Sequence, residues 1–392
     1  MLKKKFLENF SLRSKNFYRN SKKTRKIFNS LNLSSNKNEI PLLNSYSNKY
    51  NLAFSQETIK KYKKFSNIII VGMGGSILGT KCIYSFFKKK IKKNVFFFDN
   101  LDLNLFLKFK KIKNLKSSCF VIVSKSGNTL ETLVNLKNIF SKTLMKNKLI
   151  IITELKDSKL LEIGSNFNAE IVEHKKFIGG RYSVLSEVGM LPATLMNLNI
   201  NKFKNFSKLV KNNLFTSSLI KSTSSIYTLS QKGFKNSVIL NYDSDLNDLC
   251  LWYQQLVAES LGKKGKGIMP IISTCPKDNH SLLQLYLDGP GDKFFTFFSS
   301  KNKNKTETII NAQCEATKNV FKNKKIPFRH FIFEKNDEKE LGITFTFFVL
   351  ETILLASLLN VNPFDQPAVE QVKIETKKIL KSKIGNLTKN YF

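Results

Sequence analysis

Short apolar runs that alternate with helical segments constrain this chain more than any other feature. Asn67–Val71, Val95–Phe98, Ser118–Val123, Leu149–Thr153 and Ala169–Val172 are each four to six residues long and rich in β-branched or aromatic side chains. Runs of that length without polar alternation fit strands buried on both faces. Helical segments separate the earlier ones, at Ile77–Phe87, Leu101–Lys111 and Leu130–Phe140. Strand alternating with helix builds a doubly wound parallel sheet. The pattern restarts with Val238–Leu240, Ile268–Ile272, Phe294–Phe298 and Phe328–Phe333, interleaved with helical stretches at Asp245–Leu261, Glu307–Phe321 and Lys339–Leu359. The expectation is an α/β protein with two doubly wound parallel-sheet domains flanked by helices. The first domain is expected over 66–200 and the second over 201–362. A polar helical or extended segment, 1–65, precedes them, and a helix within 363–392 follows.

The net charge is +36, carried by 65 basic residues of which five are Arg. Lys, Asn, Ile and Phe, all abundant, can each be spelled with A/T-only codons, as a biased genome would favour, and the Lys residues are spread over the whole chain. Base readout leans on Arg, so the composition argues against a nucleic-acid partner. A positive field does favour encounter with a phosphorylated small molecule. Five scattered cysteines without a C-x-x-C pair point to a reducing, cytoplasmic compartment with neither disulfides nor zinc. Met1–Asn20 is basic and lacks a continuous apolar stretch, so it does not read as a secretory signal. Ile343–Leu359 is short for a membrane span and carries Glu351 in its middle, which favours a buried helix and no membrane partner.

Three glycine- or hydroxyl-rich turns stand out. Gly179-Gly180-Arg181 places one of the few Arg residues behind a double glycine, where a planar, permanently charged guanidinium has a purpose that Lys cannot serve. Gly72-Met73-Gly74-Gly75-Ser76 follows a strand and opens a helix, so Gly75 and Ser76 can bring backbone N–H groups to an anion. It is neither a dinucleotide fingerprint nor a Walker A loop. Ser124-Lys125-Ser126-Gly127-Asn128-Thr129 also follows a strand, and with Thr132 it supplies four hydroxyls in nine residues. Helix capping needs one hydroxyl; four suit a phosphate monoester.

The candidates for proton chemistry lie further on. Gln255 and Glu259 are four apart on one helix face, and Gly262 ends that helix one turn later. A carboxylate at the negative end of a helix is a better proton acceptor than an ordinary one. His280 is expected near the start of a helix opening around Asp278, a setting that favours a neutral, proton-shuttling imidazole. Asn362–Lys373 reads as a loop and helix start containing Lys373. No His or Cys has the spacing of a metal site.

Together these residues resemble the glucose-6-phosphate isomerase (phosphoglucose isomerase) family. Gly179–Gly189 looks like the family's first signature and Asn362–Lys373 like its second. Gly74–Ser76, Ser124–Thr132 and Gln255–Lys263 match in type, order and approximate spacing. The resemblance implies two sugar-isomerase (SIS) domains and the interconversion of D-glucose 6-phosphate and D-fructose 6-phosphate without metal or organic cofactor. It implies that Ser124, Lys125, Ser126 and Thr129, with Gly75, Ser76 and Thr132, hold the phosphate. Glu259 would move the proton between C2 and C1 through a cis-enediol(ate), Arg181 would stabilise the developing charge, His280 and Lys373 would assist ring opening, and Gln255 would position the sugar. It further implies a homodimer with shared active sites, His280 coming from the neighbouring subunit. The chain departs from the family in being short and in having Ala368 where the second signature usually has Gly. Two further readings are an isomerase that also accepts mannose 6-phosphate and a non-catalytic SIS sensor of phosphosugars. The sensor predicts a missing base or Arg, and here both Glu259 and Arg181 are present.

Overall fold

The computed structural model describes residues 6–8, 14–36, 39–139, 145–301 and 305–384. It forms two compact units, one of Lys49–Ile200 with Asp365–Phe392, the other of Met1–Asn48 with Asn201–Phe364. The chain opens with strand β1 (Phe6–Glu8) and helix α1 (Lys15–Asn36). It then runs through α2 (Gln56–Lys63), β2 (Asn67–Val71), α3 (Leu78–Phe87), β3 (Asn94–Phe98), α4 (Leu103–Lys110), β4 (Ser118–Val123) and α5 (Leu130–Asn138). β5 (Leu149–Thr153), α6 (Lys159–Phe167), β6 (Glu170–Glu173) and α7 (Glu187–Leu195) complete this part. The remainder is α8 (Asn213–Gln231), β7 (Asn236–Asn241), α9 (Asn247–Leu261), β8 (Met269–Thr274), β9 (Lys293–Ser300), α10 (Lys305–Asn323), β10 (Phe328–Phe333), α11 (Glu338–Leu359) and α12 (Ala368–Ile384).

In the first of these units the sheet order is β3-β2-β4-β5-β6, all parallel. β2, β4 and β5 are buried at every position, as their unbroken apolar runs require. Ile69, Phe120, Ile122 and Ile151 pack with Leu136 of α5 and Leu160 of α6 into one core. α6 is capped at both ends: the Ser158 hydroxyl accepts from Leu161 N at 3.4 Å, and Asn168 takes a left-handed φ of 51°.

The second unit has the order β1-β10-β9-β7-β8. β7 to β10 are parallel, and β1 adds antiparallel to β10. Read along each unit, the first four strands of β2–β6 and the four strands β7–β10 follow the same order, second-first-third-fourth. The fifth position is β6 in one and the antiparallel β1 in the other. β1 spans three residues and could not be read from the polar opening of the sequence. Its core is aromatic: Phe297 lies edge-on to Phe321 and Phe328 at 5.5 and 5.3 Å between centroids.

The opening 1–65, read from sequence as one extension, is divided between the units. α1 packs its polar inner face on α8, with Asn20 Nδ2 donating to Thr228 Oγ1 at 2.9 Å and Ser224 Oγ to Thr24 Oγ1 at 2.9 Å. α2 instead lies against the first sheet, where Tyr62 OH donates to Leu149 O at 3.0 Å.

A buried charge ties the sheet of the second unit to three of its helices. Arg329 of β10 is wholly buried, and its Nη1 lies 2.6 Å from Glu351 Oε1 on α11. Its Nη2 donates to Tyr253 OH of α9 at 3.0 Å and its Nε to Thr296 Oγ1 of β9 at 2.9 Å. Ser222 Oγ of α8 donates to the same carboxylate oxygen at 2.6 Å. α11 is long and apolar enough to cross a membrane by composition, yet 89% of that stretch is buried within the protein.

Candidate active site

Two sequence motifs far apart in the chain meet at Gly75. This glycine sits in the tight turn Gly74–Ser76 between β2 and α3, entered with a left-handed φ of 52° at Gly74. A Cβ on Gly75 would fall 2.2 Å from the carbonyl carbon of Gly180 and 2.5 Å from Arg181 N, so only glycine lets the two turns touch. The Ser183 hydroxyl seals the junction, lying 2.8 Å from Gly180 O and 3.2 Å from Gly75 O.

Arg181 follows directly and is 2% exposed. Nη1 donates to Gln366 Oε1 at 2.9 Å and Nη2 to Asp365 O at 3.1 Å, while the guanidinium lies 5.1 Å from the Tyr182 ring centroid. The next helix, α7, begins with Glu187, a carboxylate 1% exposed. Its oxygens accept from Tyr50 OH at 2.9 and 3.1 Å and from Ala53 N at 3.0 Å. Burial, then the Glu187 charge, pushes the Tyr50 phenol well above its usual range, so the phenol stays a donor.

The turn between β4 and α5 builds an anion cradle. Ser124 Oγ and Thr129 Oγ1 are 2.8 Å apart, and Gly127 reverses the chain at φ 69° with its N–H on Ser124 O at 3.0 Å. Thr129 is the residue before α5, yet its hydroxyl pairs with Ser124 and caps nothing. The first N–H groups of this nine-residue helix therefore have no side-chain cap from Thr129. Ser126 is exposed at the rim and accepts from Asn128 N at 3.2 Å. The Thr132 hydroxyl, in the first turn of α5, is buried with no hydrogen-bond partner among the described residues.

Lys125 closes one side of the cradle. Its ammonium donates to Lys176 O at 2.7 Å and stands 3.6 Å from Glu154 Oε1. Burial pushes its pKa down, Glu154 opposes that shift, and the nearby Lys156 and Arg181 charges add to it. His174, buried at the end of β6, is held down to about 4 by burial and then by Lys125, so it stays neutral. Its Nδ1 lies 3.2 Å from Lys175 O.

Gln255 and Glu259 share a face of α9 as their spacing predicts, with Gln255 Nε2 donating to Glu259 Oε1 at 2.8 Å. Glu259 is half-buried in the last turn, since α9 ends at Leu261 and Gly262 follows. His280 differs from its expected setting. Lys277–His280 is one isolated 3-10 turn, and the following helix, Leu283–Asp288, begins only after Ser281 has left helical geometry at φ −126°. Asp278 folds back to accept from Thr274 N at 2.7 Å, which holds the turn apart from that helix. His280 is thus exposed at the end of a turn, not seated at a helix amino terminus. Lys373 lies on the exposed face of α12, its side chain 63% exposed and its ammonium 2.6 Å from Glu370 Oε1.

The structure therefore joins Gly75 to Arg181, Ser124 to Thr129, and Gln255 to Glu259, and leaves Lys373 and His280 on the surface. The sequence pointed to the 362–373 stretch but not to Gln366, the partner that orients Arg181. Nor did it assign roles to Glu187, Tyr50 or Glu154. Only the rarity of Arg signalled this cluster.

Two α/β units of shared strand order, one with a hydroxyl-lined helix terminus beside a buried Arg, define an SIS-type phosphosugar isomerase fold. The model of the family described as phosphoglucose isomerase matches residues 34–272, and the chain belongs to that family. It is 33% identical over 346 residues to a glucose-6-phosphate isomerase of Methanocaldococcus jannaschii, covering 81% of this chain and 86% of that one. It is 32% identical to a glucose-6-phosphate isomerase of Campylobacter jejuni, covering 84% and 88%. In fold it is similar to the crystal structure of a hypothetical protein, TT0462, from Thermus thermophilus, with TM-score 0.79, 22% identity and coverage of 93% and 96%. It is also similar in fold to a glucose-6-phosphate isomerase from Chlamydia trachomatis, with TM-score 0.70, 18% identity and coverage of 84% and 73%.

Proposed function

We propose that this chain interconverts D-glucose 6-phosphate and D-fructose 6-phosphate by moving one proton between C2 and C1 of the open-chain sugar. The observation that carries the proposal is the uncapped amino terminus of α5, a ready phosphate site in a chain of this family. Ser124, Lys125, Ser126 and Thr129 hold the phosphate, with Gly75, Ser76 and Thr132 completing the site. Glu259 removes the C2 proton of the aldose while the C1 oxygen is protonated, giving a cis-enediol(ate). The same carboxyl group returns the proton to C1 as the C2 oxygen becomes the ketone, so the reaction is redox-neutral and needs no cofactor. Arg181 stabilises the charge that develops on the sugar oxygens, and Gln255 orients both Glu259 and the sugar. His280 and Lys373 open the ring.

The proposal includes a homodimer in which His280 serves the neighbouring copy's site. The exposure of His280 and of Val369, Val372, Ile374 and Ile379 on α12 supports an assembly that covers them. It also takes the enzyme as cytoplasmic, acting on a free sugar phosphate without nucleic acid or membrane. The test is a coupled assay supplying fructose 6-phosphate and detecting glucose 6-phosphate through its dehydrogenase, with Glu259→Gln alongside. Turnover in the wild type and its loss in the variant, with sugar-phosphate binding retained, is expected. Equal turnover in both overturns the assignment of the base.

A further inference from the structure

A second cavity lies in the unit that carries Glu259, and it shares none of the proposed active-site residues. Its volume is about 340 Å³, within the range of small-molecule sites. Leu209, Phe331, Ile343 and Phe347 form apolar walls, and Phe331 and Phe347 meet edge-on at 5.6 Å between centroids. Three lysines, Lys208, Lys335 and Lys339, also line it, and none of their ammonium groups has a hydrogen bond or ion pair among the described residues.

The two carboxylates on the same wall are already committed to backbone donors. Glu340 accepts from Glu334 N at 3.0 Å and from Lys335 N and Asn336 N at 2.9 Å each. Asp337 caps α11 by accepting from Glu340 N at 2.8 Å. Neither pairs with the three lysines, so three ammonium groups stand against two carboxylates with their lone pairs in use, and the lining keeps a net charge of one positive beside the apolar surface. A cavity of this size suits a small ligand, and its chemistry suits one with an apolar body and one negative end.

We propose that this cavity binds a small amphipathic monoanion, with a medium-chain carboxylate as its simplest form. The apolar chain lies against Phe331 and Phe347, and the carboxylate meets Lys208, Lys335 and Lys339. The site is separate from isomerisation, and the fructose 6-phosphate assay serves as the check that variants are folded.

The test is ligand-observed NMR and calorimetry on the full chain with octanoate, octan-1-ol and octylamine as probes. Octanoate is expected to bind saturably and at least tenfold more tightly than octanol, with octylamine not binding. Lys208→Ala/Lys335→Ala/Lys339→Ala should reduce octanoate to the octanol level, and Ile343→Trp, which fills the cavity, should abolish both while isomerase activity persists. Octanoate binding unchanged in either variant, no preference for the anion, or no binding at all overturns the proposal. Binding seen only after deletion of residues 1–5 overturns it as well, since the chain's own amino terminus would then be the occupant.

Discussion

Arg181 Nη1 donates to Gln366 Oε1 at 2.9 Å, across 185 residues of sequence. With Nη2 on Asp365 O at 3.1 Å, the bond fixes the plane of the guanidinium from two directions. A lysine ammonium at this position keeps the charge but cannot make both contacts from one plane. Arg181→Lys should therefore lower kcat by about 10²- to 10³-fold, the loss typical of removing an oriented donor from a developing oxyanion, with a smaller change in KM. Gln366→Leu, which frees one arm of the fork, should lower kcat by roughly tenfold. Steady-state kinetics with fructose 6-phosphate measures both. A kcat for Arg181→Lys within about threefold of wild type would show that Arg181 is structural.

Gly75 is a tight junction in the same cluster. An alanine methyl there would meet Gly180 backbone at 2.2 Å, and backbone cannot rotate aside as a flexible side chain can. Gly75→Ala should cost about 1–3 kcal/mol of stability and displace Arg181, so that activity falls further than stability alone explains. Urea unfolding and kcat measured on the same preparation test this. Full activity with unchanged stability would mean that the two turns separate freely.

The cradle makes a prediction about binding. Thr129 Oγ1 pairs with Ser124 Oγ at 2.8 Å and gives the α5 N–H groups no cap. Thr129→Val keeps the shape and removes the hydroxyl. KM for fructose 6-phosphate should rise by roughly ten- to a hundredfold, the worth of a hydrogen bond to a charged group, with kcat changed less. A fall in kcat at unchanged KM would place Thr129 outside the phosphate site.

The parallel sheets were legible because β2, β4 and β5 are apolar at all but one terminal residue each and buried throughout, a pattern no surface element can carry. The turns were legible because Gly and Ser residues cluster where strand gives way to helix. The place of Glu259 in the last turn of α9, bonded to Gln255, was legible from their spacing and from Gly262. What the sequence hid depends on distant partners. Nothing local marks Gln366 as the residue that orients Arg181, or Tyr50 as the cap of Glu187. His280 was misplaced because Asp278 looks like a helix start, whereas its carboxylate turns back to Thr274 N. β1 was missed because three residues carry no period.

His174 gives a pH signature. Its folded-state pKa is held down to about 4 by burial and by Lys125, against an ordinary value of 6.5. As pH falls through 6.5 the unfolded chain takes up this proton and the folded chain does not. Stability should therefore decline between about pH 6.5 and about pH 4, by about 3 kcal/mol for this one group. His174→Asn removes the titration, so the gap in stability between about pH 7 and about pH 4.5 should be smaller in the variant. Urea midpoints at the two pH values decide it, and equal gaps would show that His174 is protonated in the folded enzyme.

The Arg329–Glu351 pair tests what holds the second unit together. Both groups are buried, 2.6 Å apart, with Ser222, Tyr253 and Thr296 completing the network. A buried pair is a weak source of net stability, because desolvation offsets most of the attraction. Breaking it is another matter, since one charge remains without its partner. Arg329→Met should destabilise by about 3–5 kcal/mol, and Arg329→Met/Glu351→Leu should recover at least half of that loss. Because Tyr253 lies on the helix that carries Glu259, the single variant should also lower kcat. If the double variant is less stable than Arg329→Met, the network contributes more through its hydrogen bonds to the helices than through the pairing of charge, and Tyr253→Phe alone should then reproduce much of the effect.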